Sequence, residues 1–287
     1  MENTNVKKVG LVLEGGAMRG MYTAGILDTF LKLGVKADIA VGVSAGALFG
    51  VNYVSGQAGR VIRYNKKYNS DKNYMGPRPL LREGNIINTD YAYRRVPREL
   101  DPFDDETYKK SPVEFYAVIT NVATGLPEYV KITSVFDQMD TLRASGSMPL
   151  VSKPVKIGDN SYLDGALGDS IPYEWMMNKG TDKTIVILTQ DINYVKKPAN
   201  KFIANLFYKI KLPAVANAII HRHEKYNRQT EKLKTLEAEG KAFVFRPSEP
   251  IKISKTERNP ENLQYVYDLG VKDATARYKE LCNYLEN

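Results

Sequence analysis

Short apolar runs alternate with stretches of helical periodicity over the first 190 residues. Four runs have the length and apolar content of buried strands: Val9 to Leu13, Asp38 to Val43, Glu114 to Thr120 and Thr184 to Leu188. Helical stretches begin near Met18, Ala45, Gln138 and Pro172. Strands that alternate with helices predict an α/β domain on a mainly parallel sheet.

Two further stretches have the pattern of antiparallel strands. One is the run Glu128 to Ile132. The other is Val155 to Asp164, which contains the turn residues Gly158 to Asn160 and therefore predicts a hairpin.

The composition changes after residue 55, and we expect a cap or insertion over residues 56–110. Between Gly56 and Leu100 there are ten Lys and Arg against four Asp and Glu, interleaved with tyrosines. The pattern suits a lipid-facing lid, a phosphate-binding surface or an ordinary solvated cap.

The chain becomes mostly helical after residue 195, with one strand-like run at Ala242 to Arg246. We therefore predict a main domain over residues 8–195 and a helical subdomain over 196–287. Within Lys201 to Lys211, helical spacing places Phe202, Ile203, Leu206, Phe207 and Ile210 on one face. Such a helix could lie on an anionic membrane, although an apolar stripe more often packs onto its own domain.

Composition limits the possible partners and compartment of the protein but does not indicate a function. The formal net charge of +8 favours anionic partners such as nucleic acid or membrane headgroups. The only cysteine, Cys282, excludes an intramolecular disulfide, and no secretory signal is visible at Met1 to Val9. We expect a cytoplasmic protein, in peripheral contact with the inner membrane face if it binds lipid.

Nucleophilic chemistry is indicated by the run Gly42, Val43, Ser44, Ala45 and Gly46. This G-x-S-x-G sequence follows a predicted strand and opens a predicted helix, which is the context of a nucleophile elbow that exposes a serine hydroxyl. The alternative is a serine that only caps a helix.

A glycine-rich junction precedes the elbow, from Glu14 through Gly15, Gly16, Ala17, Met18 and Arg19 to Gly20. Glycines let backbone N–H groups turn into a site and hold an oxyanion. A dinucleotide-binding turn is the alternative, but its G-x-G-x-x-G pattern requires glycine where Ala17 stands. We expect Arg19 to brace the loop through a carboxylate or backbone carbonyls, or else to form a surface salt bridge.

A serine nucleophile needs a base, and histidine is the usual one. The two histidines, His221 and His223, lie in a polar helical stretch and are expected at the surface. Asp164, followed by Gly165 and Ala166, ends a predicted strand and is the better candidate, unless this Asp-Gly pair only forms a hairpin turn.

These three motifs, in this order, resemble the signatures of the patatin-like phospholipase family. The stretch Arg143 to Pro149 and the pair Ile171 and Pro172 are also similar to family sequence. The resemblance implies a three-layer α/β/α fold, a Ser44–Asp164 dyad and lipid acyl hydrolysis through an acyl-enzyme, without calcium or another metal or cofactor. Ala17 departs from the family pattern, and its N–H can serve the oxyanion hole if the position does not need a positive φ.

Three hypotheses remain at this point. The first is a lipid or lysophospholipid acyl hydrolase, and the second is a catalytically silent protein that binds acyl ligands in the same pocket. A nucleic-acid-binding protein is the third, but no binding motif accompanies the basic, tyrosine-rich stretch, so nucleic acid is not an expected partner.

Overall fold

Eight strands form one sheet at the centre of the computed structural model, which describes residues 7–287. The order across the sheet is β5-β6-β3-β2-β1-β7-β8, with β4 paired to β3. The strands are β1 (Val9–Leu13), β2 (Ile39–Val43), β3 (Glu114–Asn121), β4 (Pro127–Ile132), β5 (Val155–Ile157), β6 (Asn160–Asp164), β7 (Lys183–Ile187) and β8 (Phe243–Phe245). The expectation about a secretory signal concerns mainly residues 1–6, outside this range.

Strand direction divides the sheet into two parts. Strands β3, β2, β1, β7 and β8 are parallel to one another, whereas β4 and β6 run antiparallel to β3, and β5 antiparallel to β6. The mainly parallel sheet and the predicted hairpin are both confirmed, with strand ends that differ from the predicted ones by at most one residue.

Eleven α-helices in the described part of the chain cover the two faces of the sheet. They are α1 (Met21–Leu33), α2 (Ala45–Val54), α3 (Arg60–Tyr68), α4 (Pro77–Glu83), α5 (Asp105–Lys110), α6 (Met139–Ser145), α7 (Tyr173–Met177), α8 (Lys201–Tyr208), α9 (Pro213–Ala238), α10 (Pro260–Ala276) and α11 (Tyr278–Glu286). A π-helix spans Tyr91–Leu100, and 3₁₀ helices span Ala17–Gly20 and Gly165–Leu167.

Alternation along the strands gives each face its own core. In β1, Leu11 and Leu13 pack with α1, α2 and α10, whereas Val12 points to the opposite face, which α7 and α9 cover. The result is the three-layer α/β/α arrangement expected from the sequence.

The region after residue 195 takes part in the central sheet. Its strand β8 pairs with β7, and α10 packs against α1. These two helices cross closely at Gly25, where a Cβ would lie 2.1 Å from the carbonyl oxygen of Tyr267. The domain boundary at residue 195 stays a prediction.

Residues 56–110 are largely helical, and their tyrosines point inward. Tyr64, Tyr68 and Tyr74 are buried, and the rings of Tyr74 and Tyr91 pack edge to face with centroids 5.5 Å apart. Arg60 is also buried, where it donates to Asn52 and to the carbonyl of Asp101. The insertion thus has its own aromatic core.

The amphipathic stretch after Asn200 forms α8, but its apolar face does not pack onto the domain. Only Ala204 is buried, whereas Phe202 is 74% exposed, Leu206 65% and Phe207 61%. The commoner packing expected from the sequence is therefore wrong here. No helix in residues 7–287 is both long and apolar enough to cross a membrane.

Candidate active site

Strand β3 determines where the nucleophile and base candidates lie. Its residue Val118 pairs with Val43 at the end of β2, and the next residue, Ile119, pairs with Asp164 at the end of β6. Because β4 occupies the other edge of β3, β2 and β6 follow one another along the same edge. Ser44 directly follows Val43, so Ser44 and Asp164 are brought together.

Ser44 occupies a sharp turn between β2 and α2. Its backbone has φ 55° and ψ −121°, a strained conformation for a residue with a side chain, and this geometry is typical of a nucleophile elbow. Its backbone N–H donates to the Ser145 hydroxyl at 2.9 Å. Packing requires glycine nearby, because a Cβ on Gly46 would lie 2.4 Å from the carbonyl oxygen of Leu13.

The two candidate side chains form a direct hydrogen bond. Ser44 Oγ donates to Asp164 Oδ2 at 2.7 Å, and Asp164 Oδ1 accepts the N–H of Ala166 at 2.9 Å. Both residues are buried, at 7% and 5% exposure. Glycine is needed at position 165, between Asp164 and Ala166, because a Cβ there would lie 2.1 Å from the carbonyl oxygen of Val118. One carboxylate oxygen is held by the backbone while the other faces the serine.

Burial raises the pKa of Asp164 above the usual range of an aspartate. Arg222, the Ala166 N–H, the Ser44 hydroxyl and Lys255 act in the opposite direction, because each stabilises the charged form. A carboxylate with a raised pKa accepts a proton more readily, which suits a general base.

Both histidines lie away from this pair. His221 is exposed, with Nδ1 3.4 Å from Glu224 Oε2, and His223 Nδ1 lies 2.9 Å from the carbonyl oxygen of Ile220. Neither lines the pockets at Ser44. Asp164 is thus the titratable side chain hydrogen-bonded to the serine.

The glycine-rich junction curls over Ser44 as a 3₁₀ turn, and Ala17 has φ 49°. The position therefore does adopt a positive φ, so the condition set from the sequence is not met, and an alanine there is strained. The N–H of Met18 donates to the Lys255 carbonyl at 3.4 Å. Among the N–H groups of Gly16, Ala17 and Met18, only that of Met18 has a protein acceptor within residues 7–287, so Gly16 and Ala17 are the candidate oxyanion donors.

Arg19 has a different partner from those expected. When the Gln190 amide is oriented with its oxygen towards the guanidinium, Arg19 donates two hydrogen bonds to it, at 3.2 and 3.3 Å. The loop is thus braced by a neutral amide, which leaves the positive charge of Arg19 available to the adjacent pocket.

Two pockets meet at Ser44. The inner pocket, of about 110 Å³, runs beneath the insertion and has a mainly apolar lining, which includes Leu48, Phe49, Met75, Val96, Met139 and Leu142. Arg60 and Lys255 are also part of the lining. Tyr64 and Tyr93 also line it, and burial raises the pKa of Tyr64 to about 12, so its hydroxyl remains neutral. This pocket suits a hydrocarbon chain.

The outer pocket, of about 420 Å³, is lined by both Ser44 and Asp164. Four cations also line it: Arg19, Lys196, Arg222 and Lys255. None of the four forms an ion pair within 4.0 Å in the part of the chain that the structure describes. Two carboxylates, Glu14 and Asp164, also line the pocket.

Neutral groups hold these cations in place. Arg222 Nε donates to the Ser170 hydroxyl at 3.2 Å, and Lys196 Nζ lies 4.4 Å from the centre of the Tyr226 ring. Burial and the nearby Arg222 lower the pKa of Lys196 to about 8, and burial also lowers the pKa of Lys255. No sequence motif marks Lys196, Arg222 or Lys255, so none of the three was expected in the site.

Among residues 7–287, no three His, Cys, Asp or Glu side chains are grouped in a way that could hold a metal ion.

Two family models match parts of this chain. The family model described as patatin-like phospholipase matches residues 11–176, more than half of the chain. The chain therefore belongs to the patatin-like phospholipase family. A second model, described as a domain of unknown function (DUF6363), matches residues 212–286.

Curated relatives are similar over part of their length. The uncharacterized protein YjjU of Escherichia coli (strain K12) is 28% identical over 187 residues, which are 63% of this chain and 52% of YjjU. Lysophospholipase nte1 of Aspergillus fumigatus is 26% identical over 66% of this chain and 12% of its own, and the probable lipid hydrolase 463L of Invertebrate iridescent virus 6 is 23% identical over 57% and 61%. The chain thus spans about half of YjjU and about an eighth of nte1.

Among solved structures, VipD from Legionella pneumophila has a TM-score of 0.49 at 12% identity, covering 98% of this chain and 67% of VipD. That TM-score is too low for the likeness to bear on function.

Proposed function

We propose that this chain hydrolyses carboxylic esters of lipids, with Ser44 as the nucleophile and Asp164 as the general base. Ser44 Oγ attacks the ester carbonyl as its proton passes to Asp164, and the N–H groups of Gly16 and Ala17 hold the oxyanion. The alcohol leaves with the proton from Asp164, and an acyl-enzyme remains. Water, deprotonated by Asp164, then attacks the acyl carbonyl, and the acid is released as the serine regains its proton.

The observation that carries the proposal is the 2.7 Å hydrogen bond from Ser44 Oγ to Asp164 Oδ2. This bond supports the proposal because Asp164 can accept the proton of a serine that occupies an elbow, where an apolar and a polar pocket meet. The printed names of two relatives, a lysophospholipase and a probable lipid hydrolase, agree with an ester of a lipid as the substrate.

The linings of the pockets favour a particular orientation of the substrate. The acyl chain would occupy the inner pocket, and the ester carbonyl would lie at Ser44. The leaving group would then lie in the outer pocket, among Arg19, Lys196, Arg222 and Lys255. Four cations that lack close carboxylate partners favour a leaving group that carries phosphate, so we infer a phospholipid or lysophospholipid rather than a neutral glyceride.

The test is covalent labelling with a fluorophosphonate, read by mass spectrometry of the labelled peptide. We expect the label on Ser44, no label on the Ser44→Ala variant and no ester turnover by that variant. Ser147→Ala is the matched control, because Ser147 is buried nearby but donates to the Arg143 carbonyl rather than to Asp164. A label on another serine would refute the assignment.

The proposed steps use groups of the chain alone, so turnover should be unchanged in EDTA. Loss of activity that added calcium restores would require a metal ion in the mechanism.

A catalytically silent acyl-binding protein is the second candidate, and the strain at Ala17 favours it. If this loop holds the oxyanion poorly, the inner pocket would still bind acyl chains. That protein would bind a fatty acid but would neither react with the fluorophosphonate nor turn over a p-nitrophenyl ester.

A further inference from the structure

Exposed large apolar side chains are concentrated in one region of the molecule. Of eleven such side chains in the described residues, eight are Leu150 or lie between residues 192 and 210. The α8 face, which we define as Phe202, Ile203, Leu206, Phe207 and the following Ile210, contributes five of them. Single exposed apolar residues are ordinary, but a contiguous group of this kind marks an interaction surface.

The α8 face lies beside the mouth of the outer pocket. The Tyr208 hydroxyl at the end of α8 accepts the backbone N–H of Leu150 at 2.6 Å. Leu150 itself lines the outer pocket and is 48% exposed. Lys196, which precedes α8, lines the same pocket. The α8 face therefore lies next to the entrance of the candidate active site.

Charge around the α8 face has a single sign. Residues 192–223 contain no Asp or Glu. Lys197, Lys201, Lys209 and Lys211 are all exposed in this stretch. Exposed apolar side chains with lysines on either side fit a surface that offers both hydrocarbon and negative charge, as the interface of an anionic bilayer does.

We propose that the α8 face inserts into the headgroup region of an anionic lipid bilayer and directs the outer pocket towards that surface. A phospholipid could then enter the outer pocket without first dispersing in water. The docking itself requires no catalysis, but its role in substrate access rests on the proposed function.

Vesicle sedimentation of the full chain carrying Ser44→Ala tests the docking without consuming lipid. We expect binding to vesicles of phosphatidylcholine with phosphatidylglycerol, weaker binding to phosphatidylcholine alone, and release as salt is raised. Phe202→Ser combined with Phe207→Ser should lower the partition coefficient at least about tenfold, since two large side chains lose their burial in lipid.

Lysine variants test the electrostatic part. Lys209→Gln with Lys211→Gln should lower binding to the anionic vesicles about fivefold per lysine and leave binding to neutral vesicles unchanged. Tyr265→Ser is the control for the two phenylalanine variants, because Tyr265 is 50% exposed but lies on α10, which packs against α1. We expect it to bind vesicles as the parent does. Thermal unfolding midpoints equal to that of the parent would show that the variants are folded.

Docking and catalysis can fail separately. Equal binding to neutral and anionic vesicles, or α8 variants that bind as the parent does, would overturn the docking. If the wild-type chain binds vesicles but does not turn over a soluble p-nitrophenyl ester, the docking stands and the proposed hydrolase function fails. A chain that turns over the soluble ester without binding vesicles would give the reverse result.

Discussion

The inner and outer pockets share Ser44 but differ in their linings and in the parts of the chain that build them. The inner pocket is formed mainly by α2, the insertion and α6, and its polar side chains include Arg60 and tyrosines such as Tyr64 that burial keeps neutral. Lys255 lines both pockets. The outer pocket is formed by the glycine-rich loop, the end of β6 and the region after residue 195, which contributes Lys196, Arg222 and Lys255.

The difference indicates how an ester would be positioned. A hydrocarbon chain is stabilised in the inner pocket and a negatively charged group in the outer one, so an amphiphile has a single favourable orientation. That orientation places the bond between the apolar and polar parts at the serine. Selectivity would then come from the two linings, whereas the proposed chemistry would come from Ser44 and Asp164 at their junction.

The largest expected effect comes from the substitution that removes the proposed base, at the point where the two pockets meet. Asp164→Asn keeps the shape and can still accept the Ala166 N–H, but it cannot take a proton from Ser44. We expect turnover to fall on the order of 10²-fold to 10⁴-fold with a near-normal thermal unfolding midpoint. His221→Ala with His223→Ala should retain near-normal turnover. If the double histidine variant is folded and inactive while Asp164→Asn is active, the dyad is wrong.

The next effect separates the inner pocket from the outer one. Met139→Trp should fill part of the inner pocket and lower kcat/KM for a long-chain p-nitrophenyl ester at least about tenfold, since several methylenes lose their site. The rate with the acetyl ester should change little. Met177→Trp on α7, at the opposite face of the sheet, is the control. An equal loss with both esters would place the acyl chain elsewhere.

The outer pocket is tested by charge. Arg222→Gln should raise KM for a lysophospholipid roughly tenfold and leave KM for a neutral monoglyceride nearly unchanged, since one charge-assisted contact is lost. The control is Arg228→Gln, an exposed arginine on the same helix. An equal rise in KM for both substrates would contradict a phosphate subsite.

The same arginine should also affect the pH profile. The proposed base must be ionised, so activity is lost as pH falls through the pKa of Asp164, which burial raises. Arg222 and Lys255 oppose that rise. Burial raises the pKa of Tyr93, so its hydroxyl stays neutral and adds no charge beside Asp164. Arg222→Gln should therefore move the acid limb of kcat/KM for a neutral ester to higher pH. A limb that stays in place, or moves lower, would indicate that Asp164 is not the titrating group.

The smallest effect concerns Ala17. Glycine has no steric penalty at φ 49°, so Ala17→Gly should stabilise the folded chain by about 1 kcal/mol, less the entropy that a glycine costs in the unfolded state. Chemical denaturation would measure it. Activity should be retained or rise, because the N–H of residue 17 is preserved. A loss of both stability and activity would indicate that the alanine methyl group packs in the loop.

The sequence predicted the parallel sheet and the motifs around Ser44 and Asp164, because strand-forming runs and turn-forming glycines are local signals. It did not predict that Ala17 adopts a positive φ, which depends on how the loop meets the elbow. The exposure of the α8 face could not be predicted either, since helical periodicity shows that an apolar stripe exists but not whether another element covers it. The cations of the outer pocket come from distant segments that no spacing connects.

The register of β3 determines when the proposed catalytic pair can assemble during folding. Val43 and Asp164 pair with consecutive residues of β3, although they are distant in sequence. A shift of β6 by one residue would turn Asp164 to the opposite face of the sheet. Ser44 and Asp164 therefore meet only after both halves of the sheet have formed in the correct register. Contacts between distant segments form slowly, so during refolding the return of enzymatic activity would be a late event that marks the completed sheet rather than the first appearance of its helices.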